Sequence, residues 1–459
     1  MQAAVAAGHP ATTAAGVEIL AEGGSAADAA VGASLASCVA ETVMTGFLGG
    51  GHAIYWDAGA ARARNLDCFV AAPCLGMPPR ETELTHLDVP FGEELVHYAI
   101  GPASCAVPGL PAGLDALWRA HGRLPWARLV EPALELARSG VEFPPAHAAC
   151  LEMLAPVMTM DAGARIYAPT GSLLAAGDRL EQPGLVKALE AVAEEGARSA
   201  YDGTIAAALL DLSEERGGLV TAADLASYAP LWSDPVAVPY VGRTLLTRGG
   251  LSGIAATVSR LPRLRALGDT ERVLALVEAF AGAGPETHTT NTTVLDTDGN
   301  ACVLSTSLGL GSGDFLPGLD LHLNSMLGEV ALVRDALEPG QRVESMMAPT
   351  LATDRQGLEL AAGAAGGTRL RTALLGVVAG ILDEDLEPAR AVGRPRFHPE
   401  GKTLNAEPGV DERALQALEA HGWTVRTWGA LHHYFGGVSV VSRSGAAADP
   451  RRSGAAATL

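Results

Sequence analysis

Lysine is nearly missing from this 459-residue chain: Lys187 and Lys402 stand against thirty arginines, a bias that reads as codon usage and not as function. Positive charge as a whole is short, with 32 Lys and Arg against 52 Asp and Glu, for a net charge of −20. That excess repels phosphate backbones and anionic lipid surfaces, which argues against nucleic acid or membrane as a partner. No basic residue comes before Arg62, and Gly8-His9-Pro10 breaks the apolar start, so the opening segment lacks both parts of a secretory signal. The longest apolar runs, residues 29–40 and 373–382, fall short of the roughly 20 residues that span a bilayer. The six cysteines (Cys38, Cys68, Cys74, Cys105, Cys150 and Cys302) form no C-x-x-C pair and no zinc-like spacing, as buried free thiols in a reducing compartment do. Gly (54) and Pro (28) together stay below the roughly 25–30% that marks low-complexity disorder. The expectation is a soluble, cytoplasmic protein with no metal and no cofactor.

What is present is enough apolar sequence, 48%, for a large core. Length alone allows about three domains at roughly 150 residues each, and one large α/β domain fits it equally. Residues 11–22 carry a helical period that stops at Gly23-Gly24. Ser25 then caps an alanine-rich helix from about Ala26, apolar nearly all round and therefore buried. The run GFLGGGH (46–52) either lets backbones approach closely or cradles a ligand. HAIYW and RARNLDCF read as strands. Residues 106–230 read as mostly helical, and Thr221 there places Asp224 where a capping carboxylate reaches back to free amides. PVAVPY and RTLLTR read as strands, followed by helix to about Phe280. No internal repeat or long linker appears. His432 and His433, neighbours in a strand-like run, point to opposite faces and do not make a metal pair.

The most informative segment is THTTNTTVLDTDGNACVLSTS (287–307). Two β-branched runs flank Asp298-Gly299, which suits a two-residue hairpin turn with positive φ at both positions. That register sets Thr290 opposite Ser307, and a longer loop shifts it by one. Either way a Thr from one strand meets a Ser hydroxyl from the other. A chain cut just before Thr289 sets a new α-amine beside that residue's own hydroxyl. The amine's ordinary pKa of roughly 7.7–8.0 lies close to working pH, where a general base is most effective. Thr with an N-terminal amine is an activated nucleophile, and Ser307 is placed to hold its hydroxyl in the attacking rotamer. A Thr-rich hairpin of ordinary β-propensity is the alternative reading of the same residues.

Residues 288–296, HTTNTTVLD, continuing to DGNA (298–301), resemble the nucleophile motif of the γ-glutamyltransferases, T-T-H-[FY]-S-V-V-D-x-[DE]-G-N-A. The resemblance extends along nearly the whole chain through VAAGHP, EILAEGGSAADAAV, GFLGGGH, AVPGLPAGLDALWRAHGRLPWARLVEPALELARSGV, GGLVTAADLASY, MAPT, GAAGGTR, AEPGVDERALQALEAHGWTV and ADPRRSGAA, in family order. It implies the α/β, four-layer αββα sandwich of the N-terminal-nucleophile hydrolases. It also implies a precursor that cuts itself between His288 and Thr289 into segments 1–288 and 289–459, which stay associated as one intertwined domain. The mature Thr289 then attacks an amide and passes the acyl group to water or an amine. By motif position Ser307 matches the hydroxyl that positions the nucleophile, and Gly366 and Gly367 match the glycine pair of the oxyanion hole.

The glutamate clamp of the family does not carry over. Phe69 stands where the family has the Arg that binds the substrate α-carboxylate, and Gly309 where it has Asn. Met326 and Glu329 align with the ligands of the amino group, and Ser345 and Met346 with a Ser pair. Asn291 replaces the motif's His, and the segment between Gly253 and Thr289 is short for the family. An Arg–carboxylate pair is bidentate and charge-assisted, and a Phe ring supplies neither donor nor charge. The expected substrate is therefore a small molecule with a non-glutamyl acyl group, cleaved at an amide or, as in relatives acting on modified prolines, at a carbon–carbon bond beside a carbonyl. Secondary metabolism is one setting for such chemistry. Two alternatives are a true γ-glutamyl enzyme with a clamp rebuilt from Arg342 or Arg369, and a non-catalytic descendant acting as a binding module. Homo-oligomer formation stays open.

Overall fold

In the computed structural model, which describes residues 2–77, 82–91, 94–281, 289–329, 332–333, 336–367 and 369–459, the expected hairpin forms with a different turn. Thr290–Leu295 pairs with Ala301–Ser307 in the register Thr290–Thr306 through Leu295–Ala301. Asp296 N donates to the Asn300 carbonyl at 2.9 Å, so the loop is three residues long. Of its residues Gly299 alone has positive φ (83°), and Asp298 does not, contrary to the two-residue turn expected. The reason is the Asp296 carboxylate. It accepts from Asp298 N at 3.0 Å and Asn300 N at 2.9 Å, a local turn that closes on a left-handed glycine. It also accepts from Ala26 N at 2.9 Å, tying the turn to the first residue of the helix Ala26–Ala40. Carried one residue further, this register sets Thr289, and not Thr290, opposite Ser307.

The hairpin is the centre of a seven-stranded antiparallel sheet. Its order is Ala455–Thr458, Ala4–Ala7, Thr290–Leu295, Ala301–Ser307, Gly50–Asp57, Arg62–Cys68, Leu231–Ser233. A second antiparallel sheet runs Gly445–Ala448, Gly437–Ser442, Gly357–Ala365, Thr350–Asp354, Arg243–Thr247, Val236–Tyr240. Three apolar clusters define the layers. One seats Val5, Val294, Leu304 and Tyr55 of the first sheet against Ile19, Leu35, Leu114 and Leu129 of helices. A second joins Ala4, Ile54, Leu295 and Val303 to Leu351, Ala361 and Val441, between the sheets. The third packs Leu245, Leu360 and Val440 on Leu276, Leu374, Val378 and Leu415 of helices beyond. This is the αββα sandwich, and segments 1–288 and 289–459 both supply strands to each sheet.

Ser25 caps the wholly buried helix Ala26–Ala40 in a capping box with Asp28, and Thr221 does the same with Asp224. The helical stretch expected to reach Phe280 is interrupted. Ile254–Val258 is one turn, Pro262 removes an amide donor and breaks the run, and Asp269–Phe280 begins afresh. Residues His433–Phe435 form a 3-10 turn closed by left-handed Gly436, not the strand expected, and the His432 and His433 rings lie 4.1 Å apart. Among the described residues no group of three or more His, Cys, Asp or Glu is arranged to hold a metal, and no helix is long and apolar enough to cross a membrane. The glycine cluster serves close backbone approach: a Cβ on Gly50 would lie 2.8 Å from Val70 N, and one on Gly51 2.6 Å from the Ser305 carbonyl.

Candidate active site

Strand alternation decides which way the nucleophile candidate points. Val294 packs toward the helices and Leu295 between the sheets, so Thr293, Asn291 and Thr289 share the inter-sheet face. Val303 faces the same layer, and with it Ser305 and Ser307. Side-chain bonds follow this face. Ser305 Oγ donates to Asn291 Oδ1 at 2.8 Å, Asn291 Nδ2 to Thr293 Oγ1 at 3.1 Å, and Thr293 Oγ1 to the Ser439 carbonyl of the second sheet at 3.1 Å. The Asn291 side chain thus links the two hairpin strands, Thr293 reaches the facing sheet, and the side chain missing at Gly363 leaves room for the Asn291 amide.

Thr289 is buried, 1% exposed, and among the described residues its Oγ1 has no hydrogen-bond partner. Ser307 Oγ accepts from Gly309 N at 3.0 Å. From the second sheet, Gly357–Ala365 ends beside Thr289, with Ala365 lining the same small cavity. Gly366 (φ 124°) and Gly367 (φ 60°) then turn the chain into the helix Arg369–Leu382, whose first amides bond back to their carbonyls at 3.1 Å. Gly366 and Gly367 precede the first turn of that helix, where backbone N–H groups have no intrahelical acceptor. A Cβ on Gly366 would lie 2.6 Å from Gly436 Cα, which fixes glycine there. His288, on the other side of the expected cut, lies outside the described residues.

Five of the six substrate positions fall into two groups, and Ser345 stands apart. Phe69, Met326 and Met346 pack together in one buried apolar cluster with Val70, Ala106, Leu332, Val343 and Met347. The Phe69 ring also stacks on His52, centroids 5.5 Å apart. Gly309 and Glu329 form the other group: a Cβ on Gly309 would stand 2.5 Å from Glu329 Oε1, so the missing Asn side chain is what admits the Glu. Glu329 is 1% exposed, neither oxygen has a partner among the described residues, and burial pushes its carboxyl well above the ordinary range. Ser345 is turned to backbone duty, its Oγ accepting from Met347 N at 3.2 Å and its carbonyl from Arg248 at 2.7 Å.

Both arginines considered for a rebuilt clamp have partners within the protein. Arg342 donates to the carbonyls of Phe69 at 2.7 Å and Ala229 at 2.6 Å and lies over the Tyr228 ring at 4.4 Å. Arg369 donates to the Tyr434 carbonyl at 3.1 Å and lies over that residue's ring at 4.7 Å. Arg342 Nε also lies 3.5 Å from the Asp67 carboxylate.

The cavity beside Thr289 also contains residues that sequence reasoning passed over. Glu41 accepts from Thr12 Oγ1 at 2.7 Å and from Thr290 Oγ1, and burial raises its carboxyl against the pull of those two bonds. His147 and Arg452, both buried, line the same space. The signals were present: Glu41 is the single acid ending an apolar helix, and Arg452 lies within ADPRRSGAA. Asn324 was missed too. Its Nδ2 donates to the carbonyls of Leu48 and Ala106, both at 2.9 Å, and fixes the loop that carries Met326.

Two stacked antiparallel sheets between helical layers, with a threonine at the head of a central strand, define an N-terminal-nucleophile hydrolase or transferase. The gamma-glutamyltranspeptidase family model matches residues 12–281 and 268–459, and the chain belongs to that family. It is 27% identical to the acylase ACY 1 proenzyme of Pseudomonas sp. strain V22, over 91% of this chain and 86% of that one. It is likewise 27% identical to the glutathione hydrolase proenzyme of Escherichia coli K12, over 92% and 86%. Among solved structures it is similar to cephalosporin acylase from Bacillus halodurans, with a TM-score of 0.86 at 22% identity, covering all of this chain and 96% of that one. The chain is thus an enzyme of the self-processing N-terminal-nucleophile hydrolase and acyltransferase kind.

Proposed function

We propose that the chain cuts itself between His288 and Thr289 and that the freed Thr289 carries the reaction on amides with a non-glutamyl acyl group. In this reading the Thr289 α-amine takes the proton from its own hydroxyl. The hydroxyl oxygen attacks the substrate carbonyl, and the proton passes to the leaving amine. Ser307 orients the nucleophile, and the amides of Gly366 and Gly367 receive the oxyanion. Water or an amine then takes the acyl group. A carbon–carbon bond beside a carbonyl is the other bond the same acyl-enzyme chemistry cleaves.

The observation that carries the acyl preference is the single buried cluster of Phe69, Met326 and Met346. A zwitterionic glutamyl head brought there leaves charged groups unpaired, which costs several kcal/mol or more. Glu329, held neutral by burial, offers one hydrogen-bonding group in place of an ionic clamp. The relatives named acylases support an amide substrate of this kind.

The test is intact mass of the purified protein, followed by assay. Two chains are expected, the smaller starting at Thr289, with Thr289→Ala remaining whole. Anilides of apolar acyl groups are then expected to turn over at least tenfold faster in kcat/KM than a γ-glutamyl anilide. Preference for the γ-glutamyl anilide overturns the acyl assignment, and a wild-type chain that stays whole overturns the enzyme mechanism in favour of a binding module.

A further inference from the structure

The strands Thr85–Phe91 and Glu94–Ile100 pair as a separate two-stranded sheet, with His86 opposite Ala99 and Asp88 opposite His97. Successive side chains on a strand point to opposite faces. His86, Asp88 and His97 therefore share one face, and Leu87, Val89, Val96 and Tyr98 the other. Burial follows that division. Val89 and Tyr98 are buried in an apolar cluster with Leu151, Leu154 and Phe435, and Leu87 and Val96 pack against it. His86, Asp88 and His97 are exposed. They are not independent surface groups, because they bond in a line. His97 Nδ1 lies 2.9 Å from Asp88 Oδ1, and His86 Nδ1 lies 3.1 Å from His97 Nε2, with the ring planes 13° apart.

The line fixes which nitrogen carries which hydrogen. A carboxylate only accepts, so His97 Nδ1 donates to Asp88, and Nε2 of the neutral ring keeps a lone pair. His86 Nδ1 donates to that lone pair. A carboxylate behind one imidazole nitrogen, with the other nitrogen directed outward, is the arrangement that orients a metal-ligating histidine and raises its basicity. We infer that His86 Nδ1 and His97 Nε2 form a surface site for one divalent transition-metal ion of the kind imidazole prefers, Cu²⁺, Ni²⁺ or Zn²⁺, with Asp88 supporting His97 from behind.

The spacing fits. Metal–nitrogen bonds of about 2.0–2.1 Å set two ligands about 2.9 Å apart at a right angle and about 3.3 Å apart at a tetrahedral one. The observed 3.1 Å lies between these. Both rings are exposed and have room to tilt their lone pairs off the line between them toward one ion. On binding, the hydrogen on His86 Nδ1 moves through solvent to Nε2 of the same ring, so no net proton is released and no group is oxidised or reduced. Two protein ligands are fewer than the four of a structural zinc site, and water completes the sphere, so the ion is exchangeable. The site does not depend on Thr289 as a nucleophile. It does border the candidate active site, because Tyr98 pairs with Glu329 in an isolated bridge. An ion joining the two strands holds Thr85–Phe91 to the strand that meets Glu329.

Titration calorimetry tests this. The full chain, untagged and carrying Thr289→Ala so that no α-amine at 289 competes for metal, is titrated at neutral pH with the chlorides of Cu²⁺, Ni²⁺, Zn²⁺ and Mg²⁺. One ion per chain is expected at this site, Cu²⁺ more tightly than Ni²⁺ or Zn²⁺, and no Mg²⁺, which takes oxygen ligands. His86→Asn and His97→Asn are each expected to remove that binding. Asp88→Asn, which leaves both ligands in place, is expected to weaken it about 10–100-fold. All three positions are exposed, so thermal melts without metal are expected to match the parent chain. Amide hydrogen exchange across 85–100 is expected to slow on adding Zn²⁺ to the parent and not to His97→Asn. Binding that both histidine substitutions leave unchanged, or that Mg²⁺ equals, overturns the inference, and so does exchange at 85–100 that Zn²⁺ does not slow.

Discussion

Glu329→Gln separates a neutral buried acid from an ionised ligand-binding one. Both carboxyl oxygens are buried without partners, and burial raises the carboxyl well above its ordinary value of 4.5. The sign follows from proton counting. Below about pH 4.5 the group is protonated in folded and unfolded chains alike, and Gln, a neutral isostere, behaves the same. Above it the unfolded chain releases a proton that the folded protein keeps, so wild-type stability falls relative to Glu329→Gln. The slope is about 1.4 kcal/mol per pH unit until pH passes the pKa in the fold. With an unfolding entropy of about 2.1 cal/mol/K per residue, a chain of this length loses about 1 kcal/mol per degree, so the Tm difference grows by about 1.4 °C per pH unit. The assay is a series of thermal melts from pH 4 to 8 on the Thr289→Ala background, which keeps the chain whole. Parallel Tm curves for Glu and Gln refute the reasoning, as does a wild type that gains on Gln as pH rises. Either result means the carboxylate is ionised and paired.

Gly366→Ala combines a positive φ with a Cβ 2.6 Å from a backbone carbon, so it is expected to cost about 2–4 kcal/mol and to abolish self-cleavage, read by thermal melt and intact mass. Gly376→Ala, in the helix Arg369–Leu382 with open space around it, is the matched control and is expected to stabilise by about 0.5–1 kcal/mol. Asp296→Ala strips acceptors from the amides of Ala26, Asp298 and Asn300 and is expected to destabilise by about 3–5 kcal/mol in urea unfolding.

Elements with local signals were legible in the sequence. The capped helices at Ser25 and Thr221 and the hairpin strands follow from side chains acting on their own backbone within a few residues. The register stayed open by one residue in the sequence, and the Asp296 carboxylate decides it as the acceptor that closes a three-residue turn. The break at Pro262 was locally legible and overlooked. At the site, strand alternation from the correct register places Thr289 and Ser307 on one face, so that pairing was within reach of sequence. Glu41 and Arg452 carried a local signal but no pointer to the nucleophile, and His147 carried none. They arrive at the cavity from the end of a helix, the start of another and the last turn before the final strand, and only packing of the layers brings them to Thr289. Arg342 and Arg369 show the converse: sequence does not reveal the backbone carbonyls and tyrosine rings that each guanidinium meets in the fold.

The departures from the family's clamp are coupled and not independent losses. No cation pairs with Glu329 among the described residues, and an ionised carboxylate so buried would be strongly unfavourable. Burial then drives the acid to its neutral form, which is the state its unpartnered oxygens require. Gly309 makes room for the longer Glu, and Met326 and Met346 fill the volume that polar ligands would otherwise occupy. Returning arginine alone, as in Phe69→Arg, places a cation among Val70, Met326 and Met346 with a carboxyl that must first lose its proton. It is therefore not expected to restore a glutamyl site. Under the proposed function, an apolar surface of this kind selects among acyl groups by shape and apolar contact, where one methylene is worth about 1–3 kcal/mol.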